Sequence, residues 1–257
     1  MTGDPRPGTA EWDASQYSRV SSPQRSWSEE VIPRLRLGGD ETVLDAGCGS
    51  GEVTLKLLEQ LPHGRVLAVD GSRSMVEAAR QRLPADRAEV RHLDLTRLGI
   101  ESEVDHAFSN AVFHWVADHE RLFEQLHHAI RPGGRLVAQC GGRGNVADVE
   151  RALAVVGREQ PFAAHVSGFT DPWNFAGAEQ TRERLEAAGF TRAECWLERR
   201  TARPEEPQAF LEASGLAPIR EVLDDRLFRS FSDRMMEVME HPDTFEYVRL
   251  NIVAERN

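Results

Sequence analysis

The stretch Thr42-Val43-Leu44-Asp45-Ala46-Gly47-Cys48-Gly49-Ser50-Gly51 limits what this chain can fold into more than any other. A short apolar run ends in an acid and three glycines, and Val53, Leu55, Leu57, Leu58 and Leu61 follow at helical spacing. The pattern predicts a buried strand, a tight turn and a helix whose first backbone N–H groups have no intrahelical acceptor. A ligand can lie against the main chain at such a turn, because glycine has no side chain to hold it away.

A dinucleotide-binding turn would read G-x-G-x-x-G and set a pyrophosphate against the helix start. Here Gly51 comes one residue early, and Glu52 stands where that pattern has its last glycine. Asp45 adds a second carboxylate. Two acids repel a pyrophosphate and suit a cationic ligand without phosphate. S-adenosylmethionine, with its ammonium and sulfonium groups, has that chemistry.

The rest of the chain repeats the unit. Residues 65–70 predict a second strand ending in Asp70, and a helix opened by Ser72 or Ser74 carries Met75, Val76, Ala79 and Leu83 to Pro84. An acid closing the second strand can take both hydroxyls of a ribose; the plainer alternative is a helix N-cap. Residues 88–93 read as strand three, before Asp94-Leu95, where an acid can meet an adenine amino group or serve only turn chemistry. Strand four, residues 104–109, runs into Asn110-Ala111-Val112-Phe113-His114-Trp115 at the ligand-facing end of an open sheet. His114 is either a proton acceptor or a buried histidine with no chemistry. A helix from Asp118 ends at Arg131-Pro132-Gly133-Gly134, before strand five at residues 135–140. Five such units predict a doubly wound parallel sheet with right-handed crossovers.

Beyond strand five the pattern loosens. Helices are expected over 149–156 and 181–189, a sixth strand over 190–200, helical spacing over 204–242 with Met235, Met236 and Met239 as cap core, and a closing strand over 245–254. Ahead of strand one, Trp12, Tyr17 and Trp27 belong to a segment that either covers a ligand or staples a helix running to Gly38-Gly39 onto the domain. The expected division is an aromatic lid and helix at 1–37, a core at 38–200, a helical cap insertion at 201–243 and a final core strand at 244–257.

The 257 residues, 40% hydrophobic, provide apolar material for a full core. No apolar run has membrane-span length and the N-terminus lacks a signal-peptide stretch, so no membrane is expected and the compartment is expected to be the cytoplasm. Cys48, Cys140 and Cys195 stand far apart, which argues against a metal site or a disulfide framework. A net charge of −11 makes a nucleic-acid partner unexpected.

The segment Asp45-Ala46-Gly47-Cys48-Gly49-Ser50-Gly51 resembles the D-x-G-x-G-x-G motif of the Rossmann-like, class I S-adenosylmethionine-dependent methyltransferases. Asp70, Asp94 and the Arg-Pro-Gly-Gly turn fall in that family's order. The resemblance implies an α/β fold whose seven strands run 3-2-1-4-5-7-6 with the last antiparallel, and S-adenosylmethionine as cofactor. It assigns cofactor contacts to Asp45, Gly47, Cys48, Gly49 and Gly51 at the first turn. Asp70, Gly71, Ser72 and Met75 follow at the second, with Asp94, Leu95, Asn110 and Ala111 beyond. A narrower resemblance, through the aromatic N-terminus and residues 109–119, is to the branch that includes the trans-aconitate and juvenile hormone acid methyltransferases. That branch commonly methylates carboxylates of small molecules and often has Gln at the position of His114.

The expected partner is therefore a small-molecule acceptor. An ionised carboxylate attacks the methyl group without help from a base, whereas a hydroxyl or amine would usually need a proton removed, with His114 the nearest candidate. Trp12, Tyr17, Trp115, Arg143 and Trp173 are the candidate acceptor-binding residues, Arg143 because a guanidinium after strand five can pair with an acid. The alternatives are O- or N-methylation of a secondary metabolite, or a non-catalytic S-adenosylmethionine-binding protein.

Overall fold

Each apolar run closed by a glycine, proline or acidic turn forms a strand: β1 (Thr42–Ala46), β2 (Arg65–Asp70), β3 (Ala88–His92), β4 (Val104–Asn110) and β5 (Ile130–Gly141). The structure, a computed structural model, describes residues 22–166 and 173–257. β1 to β5 pair in parallel, and the connections carry α2 (Glu52–Glu59), α3 (Arg73–Arg82) and α4 (His119–Ala129) after the opening helix α1 (Ser22–Val31). β6 (Thr191–Ala202) forms the far edge, and β7 (Phe245–Glu255) inserts antiparallel between β5 and β6. The 7-stranded sheet thus has the order β3-β2-β1-β4-β5-β7-β6, as the resemblance implies.

Side chains alternate across the sheet, so neighbouring residues feed different cores. Leu44, Leu67 and Leu136 join Phe113, Phe123 and Leu126 on one face; Val43, Val66 and Val137 join Leu57, Leu61 and Phe108 on the other. A third cluster lies at the carboxyl end of β5. There α5 (Ala147–Val156), α6 (Ala163–Val166), α8 (Pro207–Ser214), α9 (Ala217–Arg220) and α10 (Asp225–Val238) pack around Phe162, Phe210, Phe228, Phe231 and Met235, together with Trp27 and Tyr247. This cap takes helices from both sides of β6 in sequence, with α7 (Ala178–Ala187) leading into that strand. Met235 and Met239 are buried in it, as the helical spacing predicts.

The boundaries differ from the sequence reading where local chemistry intervenes. α1 gives way to a 3-10 turn at Ile32–Leu35, because Pro33 lacks the N–H that a continuing helix needs. Residues 204–242 break into three helices, after Gly215 and before Asp224, whose side chain caps α10 by accepting the Arg226 and Leu227 N–H groups. The Arg131-Pro132-Gly133-Gly134 turn lies inside β5 as a bulge: Val104 pairs with Ile130, and pairing resumes between His106 and Arg135. Gly133 has φ +86°, and a Cβ on Gly134 would sit 2.1 Å from the Asp105 carbonyl oxygen, so the glycines are required.

Candidate functional site

At the mouth of β1 the chain reverses through Gly47, whose N–H and that of Cys48 both donate to the Val69 carbonyl, at 2.8 and 2.9 Å. This ties the turn to β2. Gly47 has φ +86°, and a Cβ there would lie 2.3 Å from Val112, so β4's exit loop closes on bare backbone. Gly51, at φ +84°, starts α2 and packs against Leu83. Gly49 differs: at φ +53°, an added Cβ would meet nothing within 4 Å. The middle glycine faces open space, where a ligand can approach the main chain.

Asp70 closes β2 beneath this turn. One carboxylate oxygen accepts the Gly49 N–H at 2.8 Å and the other the Ser72 N–H at 2.9 Å. A carboxylate has about four acceptor positions, so two remain for a vicinal diol. Burial pushes its pKa above the ordinary carboxylate range. Ser72 caps α3 as expected, accepting the Met75 N–H, and the Gly71 carbonyl meets His92 Nε2 at 2.8 Å.

Asp45 lies deeper, 2% exposed, and accepts the Thr54 hydroxyl at 2.7 Å. Burial, with the nearby Asp70 carboxylate, raises its pKa from 3.8 to about 7. Its stabilising contribution is therefore complete below about pH 4 and lost as pH rises to about 7. Relative to Asp45→Asn, which cannot ionise, the wild type is expected to lose about 10 °C of melting temperature between pH 4 and 8. Thermal unfolding of both proteins across that range measures the difference.

Asp94 caps its own 3-10 turn, one oxygen accepting both the N–H and the hydroxyl of Thr96 at 2.8 Å. Leu95 and Met75 are buried, Leu95 in the core of one sheet face. The Cys48 thiol is buried and its pKa raised well above the usual value, chiefly by burial. Sequence reading missed Arg82. From the last turn of α3 it grips the glycine turn, donating to the Ser50 carbonyl at 2.5 Å and hydroxyl at 2.7 Å, and it pairs with Glu52 at 3.4 Å. It stands 32 residues from Ser50, and no periodicity encodes that reach.

From β4 the chain passes Asn110 and Ala111, whose N–H donates to the Gln139 carbonyl at 2.7 Å, into a pocket under the cap. This cavity, of ≈ 50 Å³, is lined by Ala111, His114, Trp115, Asn145, Trp173, Phe175, Tyr247 and Arg249, with cap residues Val149 and Leu211. His114 is 8% exposed, and its Nδ1 accepts the Gly141 N–H at 3.2 Å. That bond requires an unprotonated Nδ1, so the ring proton sits on Nε2. Burial, with the Arg249 charge, holds its pKa well below the usual histidine range. His114 is thus a neutral hydrogen-bond donor, and neither sequence reading, a proton acceptor or a buried histidine with no chemistry, includes the Gly141 contact.

Arg249, also missed from sequence, is a 2% exposed guanidinium. Its Nε donates to Gln139 Oε1 at 3.4 Å, and Trp27 covers it at 5.3 Å. The Gln139 amide donates to Asn251 Oδ1 at 2.9 Å, which also accepts from Arg34 at 2.6 Å, so a polar chain anchors Arg249 across β5 and β7. Arg143, the arginine expected here, is exposed and folds against Gly177, outside the cavity lining. Trp115 and Trp173 do line it; Trp12 and Tyr17 lie outside the described residues.

Comparison with known proteins agrees with this layout. A family model for a methyltransferase domain matches residues 44–138, from β1 through most of β5. The trans-aconitate 2-methyltransferase of Methylobacterium nodulans is 32% identical over 189 residues, covering 73% of this chain and 67% of the relative. The chain belongs to the class I S-adenosylmethionine-dependent methyltransferases. Another relative, the trans-aconitate 2-methyltransferase of Azoarcus sp., is 38% identical over 128 residues, half the length of either chain. In three dimensions the chain is similar to the solved Haloferax volcanii complex of the Trm112 methyltransferase activator with a methyltransferase, with TM-score 0.61, 19% identity and 98% and 99% of the two chains covered. The donor of this methyltransferase family is S-adenosylmethionine. The open face of Gly49, the diol-ready Asp70 and the paired acids Asp45 and Asp70 fit that cationic, phosphate-free nucleoside.

Proposed function

We propose that this methyltransferase methylates a carboxylate oxygen of a small-molecule acid. When bound, S-adenosylmethionine supplies a methyl group already activated by the sulfonium charge. The protein's task is then to align the acceptor and exclude water. On this reading the glycine turn and Asp70 hold the donor, while Val112, wedged against Gly47, joins the donor turn to the acceptor pocket. Arg249 neutralises the acceptor's carboxylate, and the Nε2–H of His114 holds one of its oxygens. The curated trans-aconitate relatives support this choice of acceptor chemistry.

The carrying observation is the Gly141 N–H on His114 Nδ1, which leaves the imidazole a donor and removes the obvious base. A carboxylate, ionised at neutral pH, needs none. His114→Gln keeps one acceptor for Gly141 and one N–H for the substrate. It is expected to retain turnover within about tenfold, whereas loss of a general base costs about 10²–10⁴-fold. Radiolabelled methyl transfer into an acid, with the label released by mild base as an ester requires, is the measurement. A hundredfold fall in turnover would overturn the carboxylate assignment.

A further inference from the structure

Building on that reading, we infer that the acceptor is a monocarboxylic acid with a flat, unsaturated or aryl body, not a polycarboxylate. Arg249 is the one formally charged side chain among the described residues lining the pocket, and His114 beside it is neutral. One anionic group therefore has a partner. A second or third carboxylate would face aromatic rings and the uncharged polar groups of Asn145, Ser214 and Tyr247, leaving a buried charge without a cation.

The shape of the wall argues for flatness. Phe175 stacks on His114 with centroids 5.7 Å apart and planes 28° apart, and on Trp173 at 5.5 Å and 16°. Trp115 closes the corner, 5.2 Å from His114 and 6.1 Å from Trp173. Phe175 lies near-parallel to His114 and Trp173, while Trp115 is tilted by 40° and 60° to its neighbours, and the rings extend from the imidazole that holds the carboxyl group. A conjugated body lying on them gains offset stacking that a saturated chain does not. Across the gap, Val149, Leu211 and Phe245 add only apolar surface.

The test compares cinnamate, decanoate and trans-aconitate as acceptors with radiolabelled S-adenosylmethionine and the full-length protein. Cinnamate is expected to exceed trans-aconitate in kcat/KM by about 100-fold and decanoate by about tenfold. Without donor, titration with cinnamate is expected to quench tryptophan fluorescence saturably, and Trp173→Leu to weaken that quench, while trans-aconitate leaves the signal unchanged. Equal or better transfer to trans-aconitate, or decanoate as the preferred acceptor, would overturn the inference while leaving carboxylate methylation intact. Label recovered only in base-stable ethers or amines from a hydroxyl and amine panel would overturn the reading beneath it.

Discussion

Replacing Arg249 with methionine is expected to lower kcat/KM for an acid acceptor by about 10²–10³-fold while leaving S-adenosylhomocysteine affinity within about twofold. The lost interaction is a charge-assisted one in a site from which water is largely excluded, worth about 3–4 kcal/mol. Most of the loss belongs in KM if the guanidinium only binds the acid, and in kcat if it also aligns the reacting oxygen. Methionine keeps the length of the arginine stem against Trp27 but leaves Gln139 Oε1 without its Arg249 donor, so a fall of a few degrees in melting temperature is expected with donor affinity unchanged. A parallel fall in melting temperature and in donor affinity would show the effect to be structural. The substitution also removes a positive neighbour of His114, whose pKa should move up towards the ordinary histidine value, a shift readable by NMR titration. Arg249→Lys retains the charge without the planar fork and is expected to fall between the two.

That arginine also marks the limit of what the linear chain discloses. β1 through β5 and the glycine turn are legible because their signals are local: strand runs at period two, a glycine cluster, and Asp70 at the following strand's end. β7's place between β5 and β6 came from resemblance alone, since antiparallel insertion is a long-range pairing. Everything that depends on β7 was illegible for the same reason. Arg249 reads as one polar residue in a strand; only pairing opposite Gly141 sets it beside the loop of His114. Arg143 looked better because it follows β5 directly, yet its neighbour in space is Gly177, and it packs outward. His114 was found by position in the β4 exit loop. The Gly141 N–H that occupies its Nδ1 lone pair is 27 residues away in sequence, beyond the reach of any local pattern. Arg82 is the same case on the donor side.

The donor side yields the other large effect. Asp70→Ala is expected to weaken S-adenosylhomocysteine binding by at least about 100-fold in calorimetry, because two losses combine. The ribose loses its acceptors, and the Gly49 and Ser72 N–H groups lose theirs, which frees the glycine turn from the end of β2. Unmade hydrogen bonds at a partly buried charged group cost about 1–3 kcal/mol each, so the two together reach that factor. Asp94→Asn is the control: its carboxylate serves the Thr96 turn, and a change within about tenfold is expected. The pH dependence separates Asp70 further. Burial raises its pKa, so it takes up a proton at a pH where an ordinary aspartate is still ionised. Protonation removes acceptor capacity from both the backbone and the diol. Donor affinity should thus fall as mild acid is approached, and fall earlier than the ordinary carboxylate range would set. An Asp70→Ala protein that binds like the wild type would remove this carboxylate from the donor site and leave the glycine turn to hold the ligand alone.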